Sequence, residues 1–192
     1  MSIRLDLPRG VTDDDLLQLS RRNPGYQFER TAEGSLVVSP TGGLTGHRSG
    51  QVFLQLELWN RRARLGLTFD SSTGFNLPDG SCLSPDAAWV RGERWAALTA
   101  AERRAHLPLA PDAAFEVRSE SDRMGELRAK MRVYAANGCG IAVLIDPDGR
   151  AVEVYRPGQE TGRYEGTDRV ALDPELPGFS LELDPLFADA PA

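Results

Sequence analysis

The stretch from residue 113 to residue 145 limits the fold of this chain more than any other. Ala113–Arg118 alternates as a strand. Ser121 opens a helix that runs to Asn137 and closes at Gly138, and Ile141–Ile145 is a continuous apolar run of the kind found in strands buried on both faces. Two strands joined by a single helix pair in parallel through a right-handed crossover. The expected fold class is therefore α/β, with a mixed central β-sheet flanked by helices.

The rest of the chain can be placed around that unit. Thr12 reads as an N-cap, with Asp13, Asp14 and Asp15 favourably set in the first turn against the helix dipole, and Asn23-Pro24-Gly25 stops the helix near Arg22. Tyr26–Arg30 and Ser35–Ser39 flank Ala32-Glu33-Gly34 and predict a hairpin. A Gly/Thr loop, 40–46, leads into a helix over His47–Leu65. Leu67–Asp70, Ala87–Val90 and Val152–Tyr155 read as strands, Arg91–Leu109 as irregular and helical by turns, and the Gly/Pro/acid-rich tail carries a weak strand signal near Phe179–Leu183. A length of 192 residues suits one domain. Its core is expected over about 26–157, with residues 158–192 as a C-terminal extension.

Charge and composition restrict the function. A net charge of −6 gives no global field toward nucleic acid or an acidic membrane, so any contact with DNA must come from a local patch. The only arginine clusters suited to phosphate are Arg61-Arg62-Arg64 and Arg91-Arg94, and the first also suits a helix C-terminus. Met1–Gly10 holds Arg4, Asp6 and Pro8 instead of the apolar segment of a signal peptide, and Ile141–Ile145 is too short to span a bilayer. A cytoplasmic location without membrane contact is expected. Cys82 and Cys139 match no metal or redox spacing and read as small buried residues in a reducing compartment. The basic residues are 21 arginines and one lysine, Lys130. A coding bias that removes lysine wherever arginine serves leaves Lys130 marking a place where arginine does not.

Two acids stand out. In Ser84-Pro85-Asp86 the proline cannot donate to a ladder, which puts Asp86 at a strand start or edge. About 30 positions on, Phe115 and Val117 take one face of their strand, Glu116 and Arg118 the other. Carboxylates converging from neighbouring strands make a hard oxygen site suited to Mg²⁺. The plainer alternative has Asp86 capping a turn and Glu116 paired with Arg118 at the surface. On the 121–137 helix, Met124, Leu127, Met131 and Tyr134 form the buried stripe and Lys130 sits on its shoulder. From there it reaches over the sheet or, alternatively, pairs with Glu126 along its own helix. Asp70 ends a strand near these acids and is a candidate supporting acid. Glu57 reads as a solvated helix position, His47 as a helix-capping residue, and His106 carries no assigned chemistry.

Ser84-Pro85-Asp86, Glu116-Val117-Arg118-Ser119 and Lys130-Met131 resemble the PD-(D/E)XK nuclease superfamily. The closest resemblance is to its bacterial branch of restriction-endonuclease-like domains, and it extends through Ser39-Pro40-Thr41-Gly42-Gly43, Phe69-Asp70-Ser71-Ser72-Thr73-Gly74-Phe75, Glu93-Arg94-Trp95, Tyr134, Gly138, Leu144-Ile145-Asp146-Pro147 and Val154-Tyr155-Arg156. It implies a restriction-endonuclease-like core with an N-terminal helix and hairpin, and hydrolysis of phosphodiester bonds in DNA with Mg²⁺ (or Mn²⁺). Asp86, Glu116 and the Val117 carbonyl would hold the ion, with Asp70 as a further metal candidate. The parent motif has a lysine two positions after the second acid, where this chain has Arg118. Lys130 on the following helix would then supply the ammonium, and Arg118 would face the same cleft as a fixed phosphate-binding cation. Cutting both strands of a duplex suits a homodimer. The rival reading is a catalytically silent nucleic-acid-binding or interaction domain that keeps the fold. Glycosidase chemistry by two carboxylates lacks an aromatic groove, since 7% of residues are aromatic.

Overall fold

Most of the expected elements are present in the computed structural model, which describes residues 2–40 and 42–188. A short strand, β1 (Ile3–Leu5), precedes helix α1 (Asp13–Arg22). Thr12 and Asp15 close a reciprocal capping box, with Asp15 N–H on Thr12 Oγ1 at 3.2 Å and Thr12 N–H on Asp15 Oδ2 at 3.0 Å. Such a cap contributes about 1 kcal/mol. The hairpin follows as β2 (Tyr26–Arg30) and β3 (Leu36–Pro40). Helix α2 (Gly43–Ala63) starts four residues earlier than the sequence suggests and ends where Arg64 turns left-handed at φ 55°.

Strands β4 (Gly66–Asp70), β5 (Phe75–Asn76), β6 (Cys82–Leu83) and β7 (Ala87–Arg91) come next, then the short helix α3 (Gly92–Ala97) and a 3₁₀ turn, Glu102–Arg104, inside the segment expected to be irregular and helical by turns. The parallel unit is β8 (Ala113–Val117), α4 (Met124–Ala136) and β9 (Ile141–Asp146). α4 begins later than Ser121 because the Asp122 carboxylate folds back onto the Ser119 N–H and hydroxyl, at 2.9 and 2.7 Å. Strands β10 (Ala151–Tyr155), β11 (Gly162–Glu165), β12 (Arg169–Ala171) and β13 (Ser180–Glu182) and a final turn of helix, α5 (Asp184–Phe187), complete the order.

The central sheet has six strands in the order β11-β10-β9-β8-β7-β4, mixed because β8 and β9 alone pair in parallel within it. A second sheet, β1-β3-β2-β6-β5, carries the hairpin, and β12 pairs with β13. On one face of the central sheet Val52, Leu56 and Trp59 of α2 pack on Ala113, Phe115 and Val117. Asn60 locks that helix end by bonding both polar groups of Gly66 and the Trp89 indole. The segment expected as an extension fills this same core with Val170, Leu172, Leu181 and Leu186. On the other face Met131 and Tyr134 of α4 cover Ala114, Ala142 and Leu144. Each fully buried large side chain contributes about 1.5–3 kcal/mol. No helix among the described residues is long and apolar enough to cross a membrane.

Candidate active site

Strand register brings the two acids together. β7 and β8 run antiparallel with Ala87 opposite Phe115 and Ala88 opposite Ala114, so one further step along each strand sets Asp86 against Glu116. Along β8, residues 113, 115 and 117 point to the α2 core, and the alternation leaves Glu116 on the face that α4 covers. One turn of α4 separates Lys130 from Tyr134, and both descend on that carboxylate. Lys130 Nζ lies 2.6 Å from Glu116 Oε1, and the Tyr134 hydroxyl donates to the same oxygen at 3.1 Å.

The hairpin sheet supplies a third acid. Glu29 of β2 sets Oε1 at 2.8 Å from Lys130 Nζ and accepts the Ser84 N–H at 2.7 Å. Asp86 Oδ2 accepts the Val117 N–H at 2.7 Å. Glu29, Asp86, Glu116, Val117 and Lys130 line a cleft of about 920 Å³ between the two sheets, α4 and the start of α2.

Two buried carboxylates, Glu116 and Glu29, thus meet one ammonium, with the half-buried Asp86 beside Glu116. Burial pushes the Glu116 carboxyl up to about 8, since Lys130 only partly offsets the desolvation and the charges of Asp86 and Glu29 add to it. Burial likewise raises Asp86, against the Val117 N–H and Lys130. For Lys130 burial works against the charge, but Glu116 and Glu29 outweigh it and hold the ammonium well above its ordinary range. Tyr134 is raised by burial and the same two carboxylates, so it stays a donor.

The profile of the Uma2 family, described as "Putative restriction endonuclease", matches residues 13–184. The chain belongs to the Uma2 family. Among solved structures, a protein from Anabaena variabilis ATCC 29413, described as a putative nuclease belonging to DUF820, superposes with a TM-score of 0.76 over 92% of this chain and 97% of that one, at 21% identity. It shows the same mixed α/β, restriction-endonuclease-like fold. A DrdV–DNA complex aligns over 63% of this chain and 12% of that one, at 12% identity and a TM-score of 0.36. No curated protein matches the chain.

Of the residues singled out in this Uma2 chain, Asp86, Glu116, Val117 and Lys130 all line the cleft. Lys130 does not lie along its helix: Glu126 is met by Arg123 instead, at 3.5 Å. Glu116 is likewise no surface partner of Arg118. Arg118 is a correction. Its N–H still bonds the Ile145 carbonyl at 2.9 Å, which sets it beside Asp146 of β9, and it is not among the residues that line the cleft. Its guanidinium turns to the β9–β10 loop, 2.8 Å from Asp146 and 3.6 Å from Asp148. Asp70 is a second correction: it is exposed, and its Oδ1 is taken by the Ser72 N–H and hydroxyl in a tight turn.

The two arginine clusters also lie elsewhere, Arg61 on Glu57 and Arg91 and Arg94 on Asp112. The cleft's arginines are Arg4, Arg48 and Arg123. His47 is an exposed residue inside α2, which starts after Gly42. His106 sits 3.3 Å from the Cys82 sulfur, where burial lowers the imidazole and pushes the thiol up to about 12, a poor nucleophile. Thr41, part of the quoted motif, lies outside the described residues. Glu29 was missed, although the signal used for Glu116 applied to it. It is a lone carboxylate in an alternating strand, and only contacts 55 and 101 positions away reveal its role.

The site's own chemistry bears on a divalent cation. Among the described residues no three acid, histidine or cysteine side chains form a ready ligand cluster. Asp86 and Glu116 nonetheless offer hard oxygens in a cleft with more acid than base, and Mg²⁺ is commonly held by one or two carboxylates with water completing its shell. The donor set fits Mg²⁺ or Mn²⁺, with Asp86 and Glu116 as the holding residues.

Proposed function

We propose that this Uma2 protein is a divalent-metal-dependent endonuclease acting on DNA. The observation that carries the reading is the pairing of Asp86 and Glu116 at one edge of a cleft in which Glu116 and Glu29 share a single ammonium, an excess of acid over base that Mg²⁺ or Mn²⁺ would relieve. Such an ion, when bound, neutralises a scissile phosphate and makes water a better nucleophile. The chain's residues do the rest. The Val117 N–H holds Asp86 in one orientation. Tyr134 orients Glu116. Lys130 donates to the phosphate as charge develops, a preorganised cation in a low-dielectric site. Arg4, Arg48 and Arg123 are cations of this acid-rich cleft that can meet the DNA backbone, so affinity should fall with salt. A cytoplasmic homodimer presenting one site to each strand completes the proposal.

Incubation of supercoiled plasmid at low salt with Mn²⁺ or Mg²⁺ tests it, against EDTA and Asp86→Asn controls. Nicked and linear products are expected with metal alone, together with a rise in melting temperature that Asp86→Asn abolishes. A folded wild type that neither cuts nor gains stability over a range of metal concentrations would support the silent nucleic-acid-binding reading instead.

A further inference from the structure

We infer that Glu29 is a positioning residue of this site, holding the Lys130 ammonium from the side opposite Glu116 and, through the Ser84 peptide, fixing the segment that presents Asp86. The inference rests on the nuclease reading for its purpose, although its geometry stands by itself. Glu29 is buried on β2, a strand of the hairpin sheet, and the other carboxylate in contact with Lys130, Glu116, comes from the central sheet. One oxygen, Oε1, serves both contacts: 2.8 Å to Lys130 Nζ and 2.7 Å to the Ser84 N–H. The strand's neighbouring residue on the same face, Gln27, ties the sheet down by donating to the Ser71 carbonyl at 3.3 Å.

Glu116 cannot do this work alone. A carboxylate that takes up a cation shares its charge with it and loses much of its pull on a nearby ammonium. With Glu116 as its sole partner, Lys130 would be repelled by the ion and free to swing out along a four-carbon stem. Glu29, outside the pair that would hold the ion, keeps its contact with Lys130 and leaves the ammonium between metal site and hairpin. The hairpin sheet is thereby part of the reaction centre, and displacement of β2 moves the lysine and the Asp86 segment together.

The chain's single lysine makes the test direct, since acylation of Lys130 can be read by mass spectrometry without interference from other side-chain amines. The full-length protein is treated with an amine-acylating reagent, with and without Mn²⁺, as wild type, Glu29→Gln and Glu29→Asp. Gln keeps an acceptor for the Ser84 N–H, so folding, checked by melting temperature, is retained. In wild type Lys130 should be protected in both conditions. Glu29→Gln should raise acylation modestly without metal and at least about tenfold with Mn²⁺, and lower kcat with KM little changed. Glu29→Asp should restore part of both. Equal acylation of wild type and Glu29→Gln under Mn²⁺ overturns the inference, whatever the cleavage result. Loss of protection in Glu29→Gln sustains it even if no cleavage is seen, and then it is the nuclease reading that fails.

Discussion

Glu116 and Glu153 stand in one row across the central sheet on either side of Leu144, which pairs with both, and each receives a cation from α4. There the likeness ends. Glu153 takes a forked contact from Arg128, at 2.6 and 3.0 Å, a second guanidinium from Arg163 at 2.7 Å and the Tyr155 hydroxyl at 2.7 Å. Those bonds, Arg128's above all, hold its carboxyl down at about 2. One acid meets two cations and every lone pair has a donor. At Glu116 two acids, Glu116 and Glu29, share one ammonium with Asp86 close by, and burial lifts the carboxyl instead. Arginine serves at Glu153 because a planar fork matches a carboxylate. Lysine stands at Glu116 because a compact ammonium has to touch carboxylates on two sides. The first arrangement is complete in itself, and the second lacks positive charge.

The largest expected difference between the two clusters is catalytic. Lys130→Arg keeps charge and length but forces a fork into a space shaped for a point charge, and should lower cleavage by about 10²–10³, the loss seen when one preorganised donor is removed. Arg128→Lys should leave cleavage unchanged and lower stability by about 1 kcal/mol as the fork is lost. Single-turnover cleavage and denaturant melts of both variants check this. Similar rates for the two would remove the distinction drawn here.

The clusters should also respond to acid with opposite signs. Glu153 is depressed from 4.5 to about 2, so its contribution is present above about pH 4.5 and lost as pH falls toward 2. Glu116 without metal is raised from 4.5 to about 8, so the folded state favours its proton and stability falls as pH rises across that window. Glu153→Gln should flatten the acid limb of a melting-temperature profile, and Glu116→Gln the neutral limb. A Glu116→Gln profile that still declines between pH 5 and about 8 would place the neutral limb elsewhere.

Local patterns in the sequence carried much of this. Alternation in 113–117 put Glu116 on its own face, the helical stripe put Lys130 on a shoulder, and the Ser84-Pro85 start put Asp86 at a strand edge. The parallel unit was legible for the same reason: its strand and helix periods differ within one short stretch. What escaped depends on distant partners. β1, β5, β6 and β11 are three, two, two and four residues long, and lengths so short leave no periodic signal. Glu29 has meaning only through Ser84 and Lys130. Arg118 was misplaced because its partners, Asp146 and Asp148 at the end of β9 and in the loop after it, are distant in sequence and draw the guanidinium away from the cleft.

That capture predicts a structural role for Arg118. It bonds the buried Asp146 at 2.8 Å, so Arg118→Ala should destabilise the protein by about 1.5–3 kcal/mol, as loss of a charged hydrogen bond does, without changing cleavage once folded. Arg118→Lys, which restores the motif of the wider superfamily, should not raise cleavage, because the side chain faces the β9–β10 loop. A gain in rate would show that position 118 reaches the cleft during turnover.

The smallest effect is expected at Glu126, and it discriminates between the two possible partners of the lone lysine. Glu126 lies one turn before Lys130, the spacing at which an acid and a lysine usually pair along a helix. Here its neighbour is Arg123 at 3.5 Å, with side chains 67% and 82% exposed, a pair that water and salt screen almost completely. Glu126→Gln should therefore shift stability by less than about 0.5 kcal/mol. Because Glu126 lines the cleft, removing its charge can only ease the approach of a phosphate chain, so KM should hold or fall while kcat stays constant. A fall in kcat approaching that of Lys130→Arg would mean that the ammonium leaves Glu116 and Glu29 for Glu126 during the reaction. The contrast with Glu153 would then be between a fixed cluster and a moving lysine, rather than between a balanced site and one short of positive charge.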